Sequence, residues 1–458
     1  MQLPEKLLQS LEGIEGFDRE AFEKVHESGE QVTSIRINPL KNFEIRNSKF
    51  EISRLEKVPW TEYGYYLKER PSFTFDPLFH AGCYYVQEAS SMFLEQALKQ
   101  TIDLSKPLKT LDLAAAPGGK STHIQSLVSK DSLLVSNEVI RSRGNILKDN
   151  IIKWGSNNVV VTNNDPKDFA RLENYFDVIV VDAPCSGSGL FRRDEEAIGE
   201  WSENNVQLCS QRQQRILADV WPALKKEGVL VYSTCSYSEE EDEEIIEWMR
   251  KELSIVNCQL SIDPDWKIIT TKSDAGIEGS RFWPDKVKGE GFFIACLKKM
   301  EDGDERKAEI KVTKKIEMVS KKEMEIVKYW VKESDHEFVK VQNAVYAVPK
   351  KLLSDFNFMS NNLHVIYFGT LIGEIVREKL IPSHALAMSQ LASDNIGKVE
   401  LGIEQAIRYL QKKDLKEVNT GKGWNLVTYK NLPLGWINVL PTRINNYYPK
   451  ELRILKDI

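Results

Sequence analysis

Short apolar runs alternate with amphipathic runs through the middle of the chain. Apolar runs of strand length cover 108–114, 132–137, 158–162, 176–182, 228–233 and 292–298. Apolar residues at helical spacing cover 119–130, 141–154, 203–224 and 238–253. Strands that alternate with helices indicate a mostly parallel, doubly wound α/β sheet, in which ligands bind beyond the carboxyl ends of the strands. We therefore expect an α/β core with a site at that edge.

Smaller α+β units are predicted on both sides of this core. A helix with apolar Leu7, Leu8 and Leu11 precedes an alternating strand over 34–38, which stops at Pro39. Residues 299–320 are charged and lack an apolar face, as expected of a linker.

The part after the linker predicts a helix over 321–333, a strand over 338–348, a hairpin over 364–376 and a helix over 399–412. These boundaries divide the chain into 1–78, 79–299, 300–320, 321–390 and 391–458.

Composition narrows the class of protein. With 41% hydrophobic and 28% charged residues, the 458-residue chain can build sizeable cores. No apolar run approaches the roughly 20 residues of a membrane span, and the first residues lack a basic-then-apolar secretory signal. Six unevenly spaced cysteines match neither a disulfide framework nor a CxxC metal site. We therefore expect a reduced, cytoplasmic protein without a metal.

The charge distribution leaves nucleic acid open as a partner. A formal net charge of −6 argues against a simple basic binder, but six of the acids form one run over 239–244. From residue 321 to the end, 20 Lys and Arg face 15 Asp and Glu. A basic face on a nearly neutral protein is compatible with these numbers.

A turn of small residues joins the first predicted core strand to the helix after it. Strand, small-residue turn and helix N-terminus together allow backbone N–H groups to approach a ligand closely. The turn is neither a P-loop nor GxGxxG, and a tight βα corner without a ligand is the alternative. The candidate binding residues in this stretch are Asp112, Ala114, Ala115, Ala116, Pro117, Gly118, Gly119 and Lys120.

Acidic residues stand at or just after the ends of four predicted core strands. A single acid of this kind would be attributed to the solvated surface. Because the carboxyl ends of parallel strands share one edge of the sheet, four of them indicate a common site. They are Asp112, Glu138, Asp165 and Asp182.

Two cysteines also follow predicted strand ends. Cys185 comes after Asp182 in a proline-stiffened turn, and Cys235 comes just before Ser238, the predicted N-cap of a helix. A thiol near a helix N-terminus is favoured as the nucleophilic thiolate. One cysteine alone is more often a small buried hydrophobe, but two at one sheet edge indicate chemistry. The cysteines expected to be structural are Cys83, Cys209, Cys258 and Cys296.

These stretches carry a resemblance to a known family. Residues 112–121, 182–187 and 233–236 resemble motifs I, IV and VI of the NOL1/NOP2/Sun family of RNA cytosine-C5 methyltransferases. Residues 80–92, 279–284, 289–293, 433–436 and 447–453 resemble its bacterial subfamily that methylates small-subunit ribosomal RNA. The resemblance implies a Rossmann-like methyltransferase core, an N-terminal α+β RNA-binding segment, and C-terminal α+β modules that include a PUA-like one.

The resemblance also implies a role for each candidate residue. The cofactor S-adenosylmethionine would lie beside Asp112 and over the turn from Ala114 to Lys120. Glu138, supported by Arg143, would bind its ribose, and Asp165 would bind its adenine amine. Asp182, next to the cofactor, would bind the edge of the cytosine. Cys235 would attack C6 of the base, and Cys185 would assist release of the product.

The implied function is transfer of a methyl group to C5 of cytidine in 16S ribosomal RNA through a covalent adduct between Cys235 and C6. The implied partner is small-subunit RNA or the 30S particle, and we expect the chain to act as a monomer. Two alternatives stay open: the same chemistry on tRNA, and a non-catalytic RNA-binding role in ribosome assembly.

Two stretches are expected to lie away from the RNA or to hold it weakly. The acid run over 239–244 would repel phosphate, so it is expected to open a helix on a face turned away from RNA. The stretch after Gly435 and Trp436 lacks basic residues, so the last module is expected to grip RNA weakly or to act as a support.

Overall fold

The N-terminal segment forms a three-stranded sheet with helices around it. The computed structural model describes residues 3–41, 54–300, 316–415 and 418–457. The first elements are α1 (Glu5–Leu11), α2 (Arg19–Glu27), β1 (Thr33–Ile37), β2 (Gly64–Leu67), α3 (Pro77–His80) and β3 (Tyr84–Val86). β1 lies in the middle and pairs antiparallel with β2 and β3. The predicted first helix and the strand before Pro39 are confirmed.

Buried Arg36 fastens this small sheet to the core. Its guanidinium donates to Gln87 Oε1 at 2.9 Å and to Thr122 Oγ1 at 2.7 Å, and it lies 4.6 Å above the centre of the Trp154 ring. Burial lowers the pKa of Arg36 to about 9. The N-terminal segment therefore depends on polar contacts with the core as well as on apolar packing.

The core contains every strand and helix that the hydrophobic pattern predicts between 108 and 298. Its helices are α4 (Leu94–Thr101), α5 (Gly119–Leu127), α6 (Arg141–Trp154), α7 (Glu196–Glu200), α8 (Glu203–Val220) and α9 (Glu243–Glu252). Its strands are β4 (Lys109–Asp112), β5 (Leu133–Asn137), β6 (Val159–Thr162), β7 (Phe176–Asp182), β8 (Leu224–Thr234), β9 (Ile255–Asn257), β10 (Ile269–Lys272), β11 (Glu278–Phe282) and β12 (Phe292–Lys299).

Five parallel strands form the centre of one sheet in the order β6-β5-β4-β7-β8. Residues 178–181 of β7 are fully buried, as expected for a parallel strand covered on both faces. The chain moves from β4 to β5 and β6 on one side, and then to β7 and β8 on the other. This switch opens a crevice beyond the carboxyl ends of β4 and β7.

The sheet is less parallel than predicted. β12 pairs antiparallel with β8, and β11 and β10 continue from it in the same antiparallel manner. An apolar run has the same appearance in either direction, so its sequence carries no information about strand direction.

A second sheet follows in the order β13-β14-β15-β17-β18. Its module comprises β13 (Glu317–Met318), α10 (Lys321–Trp330), β14 (His336–Val341), β15 (Ala344–Pro349), α11 (Leu353–Asn362), β16 (Val365–Phe368), β17 (Thr370–Val376), β18 (Lys379–Pro382) and α12 (His384–Met388). The prediction of one strand over 338–348 is wrong. The chain reverses at Gln342, whose φ is 58°. Because apolar and polar residues alternate on both sides of this short polar turn, the two strands have the same pattern as one long strand.

The predicted hairpin over 364–376 is also wrong. β16 pairs antiparallel with β6 at the edge of the core sheet, whereas β17 pairs with β15 and β18. Gly369 lies between β16 and β17 with a φ of 54°, where a Cβ would come within 2.4 Å of the Ala347 carbonyl oxygen. β16 covers β6, an apolar strand that would otherwise be an open edge.

The last module is a four-stranded sheet with one helix. It comprises β19 (Gly397–Glu400), α13 (Ile403–Leu410), β20 (Gly423–Tyr429), β21 (Leu432–Val439) and β22 (Ile444–Asn446). Trp436 on β21 is buried, and its Nε1 donates to the Ser383 carbonyl oxygen at 2.7 Å. The predicted helix of this module is confirmed, although it is shorter than the predicted 399–412.

Two further observations concern the limits of the fold. Most of the predicted linker over 300–320, namely 301–315, lies outside the described residues. Of the helices in the described ranges, none has the length and apolar character to cross a membrane.

The predicted domain boundaries stay a prediction. β3 pairs with β1 across the predicted boundary at residue 78, and β16 pairs with β6 across the predicted linker.

Replacement of Phe368 by Ala tests the role of β16. Phe368 is 7% exposed and stacks on Tyr346 with 4.4 Å between ring centres. Because the change empties a packed site between two sheets, we expect Phe368→Ala to lower the free energy of unfolding by about 3–4 kcal/mol in denaturant titration. Val376→Ala, at a 41% exposed position on β17, serves as the control and should cost less than about 1 kcal/mol. Equal losses would contradict the pairing of β16 with the core.

Candidate active site

The turn after β4 lies at the switch point of the sheet. Gly118 has a φ of 112°, a left-handed conformation that glycine adopts without strain, and α5 begins at the next residue. The predicted tight turn is therefore confirmed.

The turn borders two cavities, of about 350 Å³ and about 500 Å³. The two cavities adjoin, because they share part of their walls, and they are together called the cleft. The shared lining residues are Ala114, Ala116, Asp182, Leu190 and Cys235. Ala115, Pro117, Gly119 and Lys120 line the smaller cavity alone.

The larger cavity brings together three of the predicted residues. Glu138, Arg143 and Asp165 all line it. Arg143 Nη2 donates to the Ala116 carbonyl oxygen at 2.9 Å, and its Nη1 lies 3.7 Å from Glu138 Oε2. Glu138 Oε1 accepts from the backbone N–H of Ile140, so the carboxylate is held at the wall of the cavity.

Asp112 and Gly118 lie outside both sets of lining residues. The Asp112 carboxyl is completely buried below the turn, where Ser121 Oγ donates to its Oδ2 at 2.6 Å. Burial raises the pKa of Asp112 to about 7. The Asp112 carboxyl therefore binds the first turn of α5 in this structure, and direct contact with a ligand stays a prediction.

The two candidate thiols meet at the carboxyl edge. β7 and β8 are parallel neighbours, with Asp182 opposite Ser233, so the turns after them lie side by side. The Sγ atoms of Cys185 and Cys235 are 2.9 Å apart, and both cysteines line the larger cavity. The contact with Cys235, together with burial, raises the pKa of the Cys185 thiol.

Asp182 is held between two partners beside these thiols. Its Oδ2 lies 2.7 Å from Lys120 Nζ, and its Oδ1 accepts from Ser233 Oγ at 2.9 Å. Lys120 also lies 5.3 Å from the centre of the Phe292 ring, which lines the smaller cavity. The structure thus places Lys120 in the smaller cavity, whereas Glu138 and Asp165 line the larger one.

The acid run over 239–244, expected to open a helix on a face turned away from RNA, lies partly inside the protein. Glu241, Asp242 and Glu243 are buried. Glu243 binds Arg281, while Asp242 Oδ1 accepts from Thr234 Oγ1 at 2.5 Å. Ser238 is the N-cap residue of a short 3-10 turn over Glu239–Glu241, but its side chain makes no capping bond, and α9 begins only at Glu243. Buried partners that are distant in sequence cannot be inferred from a run of acids.

Other lining residues were missed by sequence reasoning. Those of the smaller cavity include Tyr85, Gln87, Glu88, Arg193, Glu290 and Phe292, and those of the larger one include Arg212 and Arg215. The polar pair Gln87 and Glu88 inside an apolar stretch was an available signal. No such signal marked Arg212 and Arg215 of α8, because arginine is common on exposed helix faces.

The remaining cysteines lie outside the cleft. Cys83, Cys209 and Cys296 are buried, and Cys258 is half-buried. Within 3–41, 54–300, 316–415 and 418–457, no cluster of three or more His, Cys, Asp or Glu side chains could hold a metal ion.

A switch-point cleft with a small-residue turn and acids after successive strands is typical of a Rossmann-like nucleotide-binding core. The chain is 30% identical to ribosomal RNA small subunit methyltransferase F of Psychromonas ingrahamii over 441 residues, which cover 92% of this chain and 90% of the relative. It is 31% identical to the protein of the same name from Shewanella sediminis over 445 residues, with the same coverage. The chain therefore belongs to the ribosomal RNA small subunit methyltransferase F family.

Family models agree with this assignment along the chain. The model of 16S rRNA methyltransferase RsmB/F matches 99–298, and the model of the N-terminal domain of 16S rRNA methyltransferase RsmF matches 3–89. The model of the RsmF rRNA methyltransferase first C-terminal domain matches 322–389, and that of the methyltransferase RsmF PUA domain matches 397–454.

Solved structures resemble about two thirds of the chain. A methyltransferase homologue from Pyrococcus horikoshii is 27% identical with a TM-score of 0.53, and the match covers 64% of this chain and 94% of that one. NSun6 from Pyrococcus horikoshii is 20% identical with a TM-score of 0.54, covering 65% of this chain and 99% of that one, which supports the fold alone.

The buried carboxyl of Asp112 predicts a pH-dependent stability. Between pH 4 and pH 7 the unfolded chain loses this proton, whereas the folded chain keeps it, so stability falls as the pH rises. The resulting loss in the free energy of unfolding reaches at most about 4 kcal/mol above pH 7. We expect Asp112→Asn to gain stability relative to the unchanged protein as the pH rises from 4 to 7 in denaturant titrations. A difference that does not vary with pH would contradict the raised pKa.

Proposed function

We propose that this protein uses S-adenosylmethionine to methylate C5 of a cytidine in 16S ribosomal RNA through a covalent adduct with Cys235. One observation carries this proposal: two thiols 2.9 Å apart share a cleft with the carboxylate of Asp182. A methyltransferase that only activates an amine or hydroxyl of its substrate has no need of paired thiols. The names of the curated relatives support ribosomal RNA of the small subunit as the substrate.

The larger cavity fits the methyl donor. Glu138 and Asp165 offer carboxylate acceptors on its wall for the hydroxyl and amine donors of an adenosine. Ala114 and Ala116 line both cavities, and the donor would meet the base beside them. When bound there, S-adenosylmethionine supplies an electrophilic methyl group on a sulfonium.

The chemistry of cytosine explains why two thiols are useful. C5 is a poor nucleophile, but addition of the Cys235 thiolate to C6 makes C5 enamine-like and able to take up a methyl group. Asp182 hydrogen-bonds the base edge around N3 and N4 and stabilises the charge that develops there. The target base must leave its stack to reach this position.

Release of the product requires loss of the C5 proton and cleavage of the bond between C6 and sulfur. The C5 proton passes to solvent, the electrons of the C5–H bond restore the double bond between C5 and C6, and the Cys235 sulfur leaves as a thiolate. Cys185, whose Sγ lies 2.9 Å from Cys235 Sγ, assists this departure. The contact with Cys235 and burial raise the pKa of the Cys185 thiol, which favours the protonated form of Cys185. The two cysteines thus divide attack and release between them.

RNA is held by basic groups around the cleft and by the outer modules. Arg193, Arg212 and Arg215 are exposed at the rim, within reach of the phosphates that flank an everted base. Residues 1–78 add an RNA-binding surface, and 391–458 form the PUA-like module. In that module Trp436 packs against Trp330 inside the protein, which supports a bracing role for the Gly435–Trp436 stretch.

Loss of each thiol should have a different effect. With labelled S-adenosylmethionine and 30S particles or 16S RNA, we expect Cys235→Ala to lower methyl transfer by about a thousandfold or more, because no adduct can form. Cys185→Ala should instead accumulate an RNA–protein adduct that survives denaturing electrophoresis. Cys258→Ala, a half-buried cysteine outside the cleft, is the matched control and should behave as the unchanged protein.

Base mapping of the labelled RNA identifies the product. The appearance of 5-methylcytidine in 16S RNA supports the proposal. Transfer only to tRNA would contradict the substrate, and full activity of Cys235→Ala would contradict the covalent mechanism. An adduct in Cys235→Ala rather than in Cys185→Ala would reverse the division of roles.

A further inference from the structure

We propose that Glu241 is the positioning residue that holds the two thiols next to each other. Its one buried carboxylate binds both the turn that carries Cys185 and the turn that carries Cys235. The inference deepens the proposed function, and only the predicted effect of Glu241 on methyl transfer rests on that function. Its structural part, the alignment of the two sulfur atoms, can be measured separately.

The contacts of Glu241 reach both turns. Its Oε1 accepts from the Ser186 backbone N–H at 2.8 Å and from Gln213 Nε2 at 3.1 Å. Its Oε2 accepts from Ser186 Oγ at 2.5 Å and from Ser236 Oγ at 2.7 Å. Ser186 and Ser236 each directly follow one of the two cysteines.

A carboxylate accepts all four of these hydrogen bonds at once, because it has two oxygens and no hydrogen to turn towards a donor. A glutamine would turn an N–H2 group towards one pair of donors, and the two serine hydroxyls could stay bonded only by rotating to accept from it. Glu241 is fully buried, so a lost contact is not replaced by water. Gln213 also donates to the Pro184 carbonyl oxygen, which extends the same network to the residue before Cys185.

The geometry of the thiols explains why this network matters. The sulfur atoms are 2.9 Å apart, a distance that depends on two turns with no covalent link between them. A displacement of about 1 Å in a reacting group can cost about a hundredfold in rate. A residue that binds both turns therefore controls attack and release together.

Neighbouring acids of the same run provide controls. Glu243 is also buried, but it binds Arg281, which donates to the Tyr237 carbonyl oxygen, and so it reaches only the turn that carries Cys235. Because Glu243 does not join the two turns, its loss should affect stability more than the alignment of the thiols. Glu239 is exposed, so Glu239→Gln tests the effect of removing a charge from the run.

The test measures alignment and catalysis in the full-length protein. Diamide, which takes up two electrons and two protons as two thiols join, should link Cys185 to Cys235 rapidly in the unchanged protein. Peptide mapping gives the rate of this linkage. We expect Glu241→Gln to slow it about tenfold or more and to lower kcat for 16S RNA methylation by about 10–100-fold with KM nearly unchanged.

The control variants separate positioning from folding. Glu241→Asp, which keeps the charge, should recover part of both rates. Glu239→Gln should match the unchanged protein, and Glu243→Gln should lower the melting temperature without slowing the linkage. Unchanged linkage and kcat in Glu241→Gln would overturn the proposal. So would equal slowing in Glu243→Gln, since the effect would then be general loss of stability.

The linkage assay also separates this inference from the proposed function. If no RNA is methylated by any form of the protein, the linkage rates of Glu241→Gln and Glu241→Asp still decide whether Glu241 aligns the thiols. A slow linkage in Glu241→Gln with normal methylation would confine Glu241 to structure and overturn its positioning role in catalysis.

Discussion

The parallel pairing of β7 with β8 is the constraint on which the cleft depends. It sets Asp182 opposite Ser233, and the two turns that follow therefore leave the sheet side by side. Cys185 and Cys235, fifty residues apart in the chain, meet at 2.9 Å as a result. A shift of one residue in this register would turn one strand's side chains to the opposite face and separate the thiols.

Buried polar groups hold these turns where apolar packing cannot. Turns at a sheet edge have few apolar side chains, so their position depends on hydrogen bonds in a low dielectric. Glu241 binds the turns after both strands, Asp242 binds Thr234, and Glu243 binds Arg281. Burying three carboxylates costs free energy that is offset only because each one is hydrogen-bonded or ion-paired.

The modules outside the core take part in its construction. β16 completes the open edge of the core sheet, and Arg36 fastens the N-terminal sheet to α5 and α6. Residues of β3 and of the stretch directly after it line the smaller cavity. The cleft is therefore bounded by segments from both sides of a predicted domain boundary, which explains why the division of the chain by composition describes its architecture only in part.

The sequence by itself determined the α/β core, its strands and helices, the turn after β4 and the two cysteines, because these depend on local periodicity and on residue types with few alternatives. Tertiary structure alone decided that β12 runs antiparallel and that β16 joins β6, since strand direction and partner are not encoded in an apolar run. It also decided that the Asp112 carboxyl binds Ser121 on α5, and that Glu241 is buried between two turns instead of facing water. Burial and long-range hydrogen bonds depend on which segments meet, and that is a property of the folded chain.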